Sequence, residues 1–76
     1  MDLSVYLERD SDTLAGATRV RGTRLSVDFI LGLLEQGWSE QQIRSEYPQI
    51  TQDALQAVFA FARKSLETER LVPLAS

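Results

Sequence analysis

Three short stretches of this chain repeat one pattern, and that pattern constrains the fold more than any other feature. Each has an apolar residue, then a hydroxyl residue, then a second apolar residue four positions past the hydroxyl: Leu25-Ser26 with Ile30, Trp38-Ser39 with Ile43, and Ile50-Thr51 with Leu55. A Ser or Thr at the start of a helix accepts a hydrogen bond from a free N–H of the first turn. The flanking apolar pair closes over that turn as a hydrophobic staple. Gln42, three residues after Ser39, adds the spacing of a capping box. The pattern therefore predicts helices over 27–36, 40–47 and 52–66. Gly37 suits the position after the first helix's last turn. Pro48 pushes Tyr47 out of the helical region and stops the second. The second and third helices, joined by so short a turn, read as a helix-turn-helix.

Residues 1–25 lack helical periodicity. Loose alternation in Leu3-Ser4-Val5-Tyr6-Leu7, and again in Ala17-Thr18-Arg19-Val20-Arg21, predicts one or two short strands. Gly22-Thr23 reads as a tight turn. The expected architecture is a single domain over 1–76: a β arm (1–25), three helices (26–66) and a tail (67–76) whose end, 72–76, is expected to fray.

Seventy-six residues bury roughly 60% of their unfolded surface, which leaves a thin stability margin. Chains this small usually carry a staple: a disulfide, a metal or a partner subunit. There are no cysteines and no histidines. Disulfides and thiolate metal sites are excluded, and the usual zinc ligand and neutral-pH general base are absent. A partner subunit is the staple left, so a homo-oligomer or an obligate complex is expected. The net charge of −3 weighs against nucleic acid, since phosphate neutralisation rests on lysine and arginine. No signal-peptide pattern or membrane-length apolar run is visible, so a cytoplasmic protein that does not enter a membrane is expected.

The third helix places Leu55, Val58, Phe59, Ala62 and Leu66 on one stripe, the expected core face. Asp53, Gln56, Ala57, Ala60, Lys64 and Glu67 fall opposite. In the first helix Val27, Ile30, Leu31 and Leu34 form a stripe that Phe29 and Leu33 widen. A helix apolar on most sides is buried on most sides, and three short helices cannot cover this one. Phe29, Leu33 and Phe61 are therefore the candidate contacts with a partner or a second copy. Trp38 reads as a staple, and Tyr47 as a core-facing ring with its hydroxyl at the rim.

No catalytic constellation emerges, and no cofactor or metal site is expected. Asp28 and Asp53 lie in first turns, where a carboxylate suits the helix dipole. Asp10 and Asp12 lack the third ligand and glycine turn of a cation loop. Gly16 and Gly22 form no phosphate loop. The basic cluster Arg19, Arg21 and Arg24 has two readings: a grip on phosphates, or pairing with nearby carboxylates along a charged edge. The third helix offers Gln52, Gln56, Arg63 and Lys64 as base or phosphate contacts for double-stranded DNA, alongside Asp53 and Glu67, which phosphates repel.

The stretch GTRLSVDFILGLLEQGWSEQQIRSEYPQITQDALQAVFAFA resembles the family called domain of unknown function 433. The family pattern has a Gly-Thr-Arg step, a helix, Gly-hydrophobic-Ser, Tyr-Pro-x-hydrophobic-Thr, and a last helix rich in alanine and aromatics. Gly22-Thr23-Arg24, Gly37, Ser39, Tyr47-Pro48, Ile50 and Thr51 match it. Two positions depart from it: Ala15-Gly16-Ala17-Thr18 stands where Gly-Gly-x-Pro is frequent, and Ser26 where proline is frequent. The resemblance implies a homeodomain-like bundle with a small β arm. It also implies an antitoxin of a toxin–antitoxin pair, which binds a PIN-like nuclease toxin and commonly represses its own operon. Two expectations stand side by side: an antitoxin-like protein binding such a toxin and operator DNA, or an oligomeric interaction module that never meets nucleic acid.

Overall fold

In the computed structural model, which describes residues 1–67, the three helices form behind a short two-stranded arm. The helices are α1 (Val27–Glu35), α2 (Glu40–Glu46) and α3 (Gln52–Leu66). All three hydroxyls cap as their spacing predicts: Ser26 accepts from the N–H of Phe29, Ser39 from Gln42 and Thr51 from Ala54. The capping box closes when the Gln42 side chain accepts from the N–H of Ser39. Ile30, Ile43 and Leu55, the inner members of the staples, are completely buried. α1 ends in a Schellman turn: Gly37 at φ +98° donates to Leu34, and Trp38 donates to Leu33. Trp38 is half-buried against the core. The tail expected over 68–76 lies outside the described residues.

The arm departs from expectation in its first residues. Leu3–Val5 is a turn of 3-10 helix rather than a strand. Asp2 explains the difference: its carboxylate accepts from both the N–H and the hydroxyl of Ser4, and such local bonding competes with extended pairing. The strands are β1 (Leu7–Glu8) and β2 (Arg19–Val20), antiparallel, with Leu7 opposite Val20 and Glu8 opposite Arg19. The Gly-Thr-Arg step folds β2 back on itself. Gly22 takes φ +78°. The Thr23 hydroxyl donates to the carbonyl of Val20 and accepts from the N–H of Leu25. Residues 25–27 then lie along the other side of β2, with Val20 donating to Leu25 and Val27 to Thr18.

The core joins arm and helices: Leu7 and Val20 pack with Val27, Ile30, Leu33, Ile43, Ile50, Ala54, Leu55, Ala57 and Val58. Two helix faces need correction. α3 buries Ala54, Leu55, Ala57 and Val58, while Phe59 and Leu66 are exposed. Its buried face is turned roughly a quarter of a rotation from the stripe of large residues. The small side chains of Ala54 and Ala57 are among those that go inside. In α1, Leu33 is buried at 7% exposure, so it belongs to the core and offers nothing to a partner, while Phe29 is 41% exposed. Phe29 meets Tyr47 edge to face, with ring centroids 5.7 Å apart.

Between Asp10 and β2 the chain makes a left-handed turn through Leu14 (φ 54°), Ala15 (φ 55°) and Gly16 (φ 82°). Ala15 thus adopts a backbone conformation that glycine takes more readily. Left-handed backbone costs an L-residue roughly 1–2 kcal/mol. Glycine relieves that strain and gives back about 0.5–1 kcal/mol in unfolded-state entropy. Ala15→Gly should therefore raise stability by about 0.5–1 kcal/mol. Urea unfolding checks this, and a destabilised variant would refute the strained turn.

Candidate functional site

The seven sequence-selected contact residues divide into two groups. Arg19 and Arg21 are committed inside the arm. Arg19 is 8% exposed. Its Nη2 lies 3.1 Å from Glu8 Oε2 and 2.9 Å from Asp10 Oδ2. Arg21 pairs with Glu8 Oε1 at 3.2 Å and donates to the carbonyls of Ser4 and Leu7. Glu8 also accepts from the N–H of Gly22. It is thus the common partner of both arginines and of the glycine turn. The carboxylate pairing anticipated as one alternative for the basic cluster is the arrangement present for these two residues.

Asp10 completes this network. Its Oδ1 accepts from the N–H groups of Asp12 and Thr13, while Oδ2 takes Arg19. The hydrogen bond from Arg19 holds the Asp10 carboxyl below the usual carboxylate range, against a smaller opposing effect of desolvation. The acidic pair Asp10 and Asp12 is therefore a turn and an anchor for Arg19. Among the described residues no three acidic, His or Cys side chains gather as a metal-holding group.

The remaining candidates face solvent. Arg24, at the end of the Gly-Thr-Arg step, is exposed and makes no ion pair among the described residues. Gln52 and Gln56 are exposed on the first half of α3, and Arg63 and Lys64 near its end. Phe59 lies between these two pairs and is 37% exposed. Asp53 and Glu67 are exposed on the same helix, so its outer charges balance. Phe61 is half-buried against the core, at the wall of an apolar hollow between α1 and α3 that Val27, Leu31, Ala62 and Leu66 also line.

Sequence reasoning passed over Glu8, Arg9 and Phe59. Glu8 sits one residue past the expected strand. Its position opposite Arg19 follows only from the register of β1 and β2. Arg9 donates through Nε and Nη2 to the Thr18 hydroxyl, a contact across the arm that no local spacing reveals. Phe59 falls on the expected core stripe by its helical spacing and is exposed instead.

This geometry defines a class: a small, mainly helical module with a β arm pinned by ion pairs, offering exposed side chains on α3 and an apolar hollow beside it. The pattern of the family described as "Protein of unknown function (DUF433)" matches residues 7–62. The chain belongs to that family. No curated protein and no solved structure matches it.

The Asp10–Arg19 contact has a pH consequence. A carboxyl whose folded pKa is depressed stabilises the fold fully above its unfolded pKa, about 3.9, and loses that contribution as pH falls through the folded value. Urea midpoints should therefore drop as pH is lowered from about 5 towards 2.5. Asp10→Asn should start lower at pH 7 and lose less over the same range. Identical pH profiles for the two proteins would contradict the contact.

Proposed function

We propose that this chain is an antitoxin-like binding protein of the cytoplasm whose principal partner is another protein, a PIN-like nuclease toxin. The partner class follows from the family resemblance. The preference for protein over nucleic acid is carried by one observation: the arm arginines Arg19 and Arg21 are spent on Glu8 and Asp10. With them neutralised, the other cations of the described residues are spread over the arm, the Gly-Thr-Arg turn, α2 and α3, and on α3 Arg63 and Lys64 are balanced by Asp53 and Glu67. On this reading the homeodomain-like helix-turn-helix formed by α2 and α3 serves first as a rigid scaffold. The exposed Phe29 is the place left for pairing two copies, Leu33 being inside.

Operator binding is the second reading, and Gln52 and Gln56 favour it. Both are exposed early in α3, where a recognition helix meets base edges, and a glutamine can bond an adenine edge in two places. Arg24 and Arg63 are its phosphate contacts. Lys64 belongs with them or with the hollow on the arm side of α3.

The test compares two ligands. The purified chain should bind and inhibit a PIN-like nuclease. A duplex of its own upstream region should bind no tighter than the micromolar range typical of non-specific contacts, roughly 1–100 μM at physiological salt. Failure to bind the nuclease refutes the protein-partner reading. Tight duplex binding whose sequence preference is relaxed by Gln56→Ala would instead establish the second reading.

A further inference from the structure

The apolar hollow between α1 and α3, of about 520 Å³, has Val27, Leu31, Phe61, Ala62 and Leu66 in its walls. Phe61 is half-buried there. Leu66, the last residue of α3, is 60% exposed. Apolar surface left open to water in this way gains from being covered. The described residues end at Glu67, so the chain leaves α3 at the hollow's own wall. From there the sequence continues Thr68-Glu69-Arg70-Leu71-Val72-Pro73-Leu74-Ala75-Ser76. Three polar residues thus lead into an unbroken apolar run, Leu71-Val72-Pro73-Leu74.

We propose that residues 71–74 turn back and dock in this hollow, so that its occupant is the chain's own apolar run. Reach permits it. The steps from Leu66 to Leu71 span up to roughly 16–18 Å when extended, and Phe61 lies only about 7.5 Å back along α3 from Leu66. The link can therefore reverse direction and set Leu71 beside Phe61. The tether also favours it. A segment held by so short a link acts at an effective concentration on the order of millimolar, and a second copy or a separate partner at micromolar concentration competes against that advantage. Pro73 suits the role, because it directs Val72 to extended backbone and has no N–H to leave unpaired against an apolar wall. The inference holds whichever partner the chain binds. It also changes what Phe61 offers: a partner that used this residue would first displace the run that covers it.

The chain has no cysteine, so Ser76→Cys gives the full chain a single site for a nitroxide label, whose unpaired electron broadens the amide signals near it. In the isotope-labelled protein the nitroxide should remove much of the signal intensity of Leu31 on α1 and of Phe61 and Ala62 on α3, and its chemical reduction should restore it. Adding Leu71→Ser and Leu74→Ser should keep the helical spectrum, since both lie beyond α3, and should abolish the loss at Leu31. A loss confined to residues 65–67 overturns the proposal and leaves the hollow to a partner protein. A loss at Leu31 that the two serines do not change overturns it as well, because the apolar run is then not what holds the label there. So does the same loss in a mixture that carries isotope and nitroxide on different molecules, since a second copy is then the occupant.

Discussion

The guanidinium of Arg19 is nine-tenths buried between Glu8 and Asp10, and the arm is organised around it. Burying a charge is costly unless partners satisfy it, and an ion pair of this kind adds little net stability over apolar packing. What it supplies is register. Sliding β1 by one residue against β2 would carry Glu8 away from Arg19 and turn Leu7 out of the core. The correct pairing puts Leu7 and Val20 under the helices at 5% and 3% exposure. Glu8 extends the effect by tying Arg21 and the Gly22 turn to the same strand. That turn sets the start of α1.

The helices were legible because their signals are local. A hydroxyl cap, its staple and a following glycine or proline each act within one or two turns, so Ser26, Ser39 and Thr51 mark their helices wherever the chain goes. The arm was half legible. Asp2 captured Ser4 and made a 3-10 turn where alternation suggested a strand, and the two strands are only two residues each. The faces of α3 were the least legible part. Hydrophobicity ranks Phe59 above Ala57, yet Ala57 is fully buried and Phe59 exposed, so the size of a side chain does not by itself say which side of a helix turns inward. The candidate site suffered for a different reason. Whether an arginine is free depends on carboxylates placed by tertiary register, and three arginines alike in sequence have different fates: Arg19 buried, Arg21 tied to backbone carbonyls, Arg24 open.

These fates connect fold to function. Ion pairs that hold the arm remove two of the cations a nucleic-acid partner would use. Among the described residues Arg9, Arg24, Arg44, Arg63 and Lys64 make no ion pair, and they are spread over the arm, the Gly-Thr-Arg turn, α2 and α3. Cations spread in this way do not form the connected basic stripe that a continuous phosphate backbone needs. The strained turn at Leu14 and Ala15 bears on the same arm, because it returns the chain from Asp10 to β2 and so brings Asp10 to Arg19.

The central claim is that Arg19 is a structural residue bound to its carboxylates, and a double-mutant cycle on Arg19→Met and Glu8→Gln measures it most directly. Urea unfolding of the four proteins gives the coupling between the two side chains. The account predicts a coupling of about 0.5–3 kcal/mol, the range for interacting neighbours. A coupling within about 0.3 kcal/mol of zero, with Arg19→Met as stable as the parent, would contradict it and return Arg19 to the pool of residues free to meet a partner.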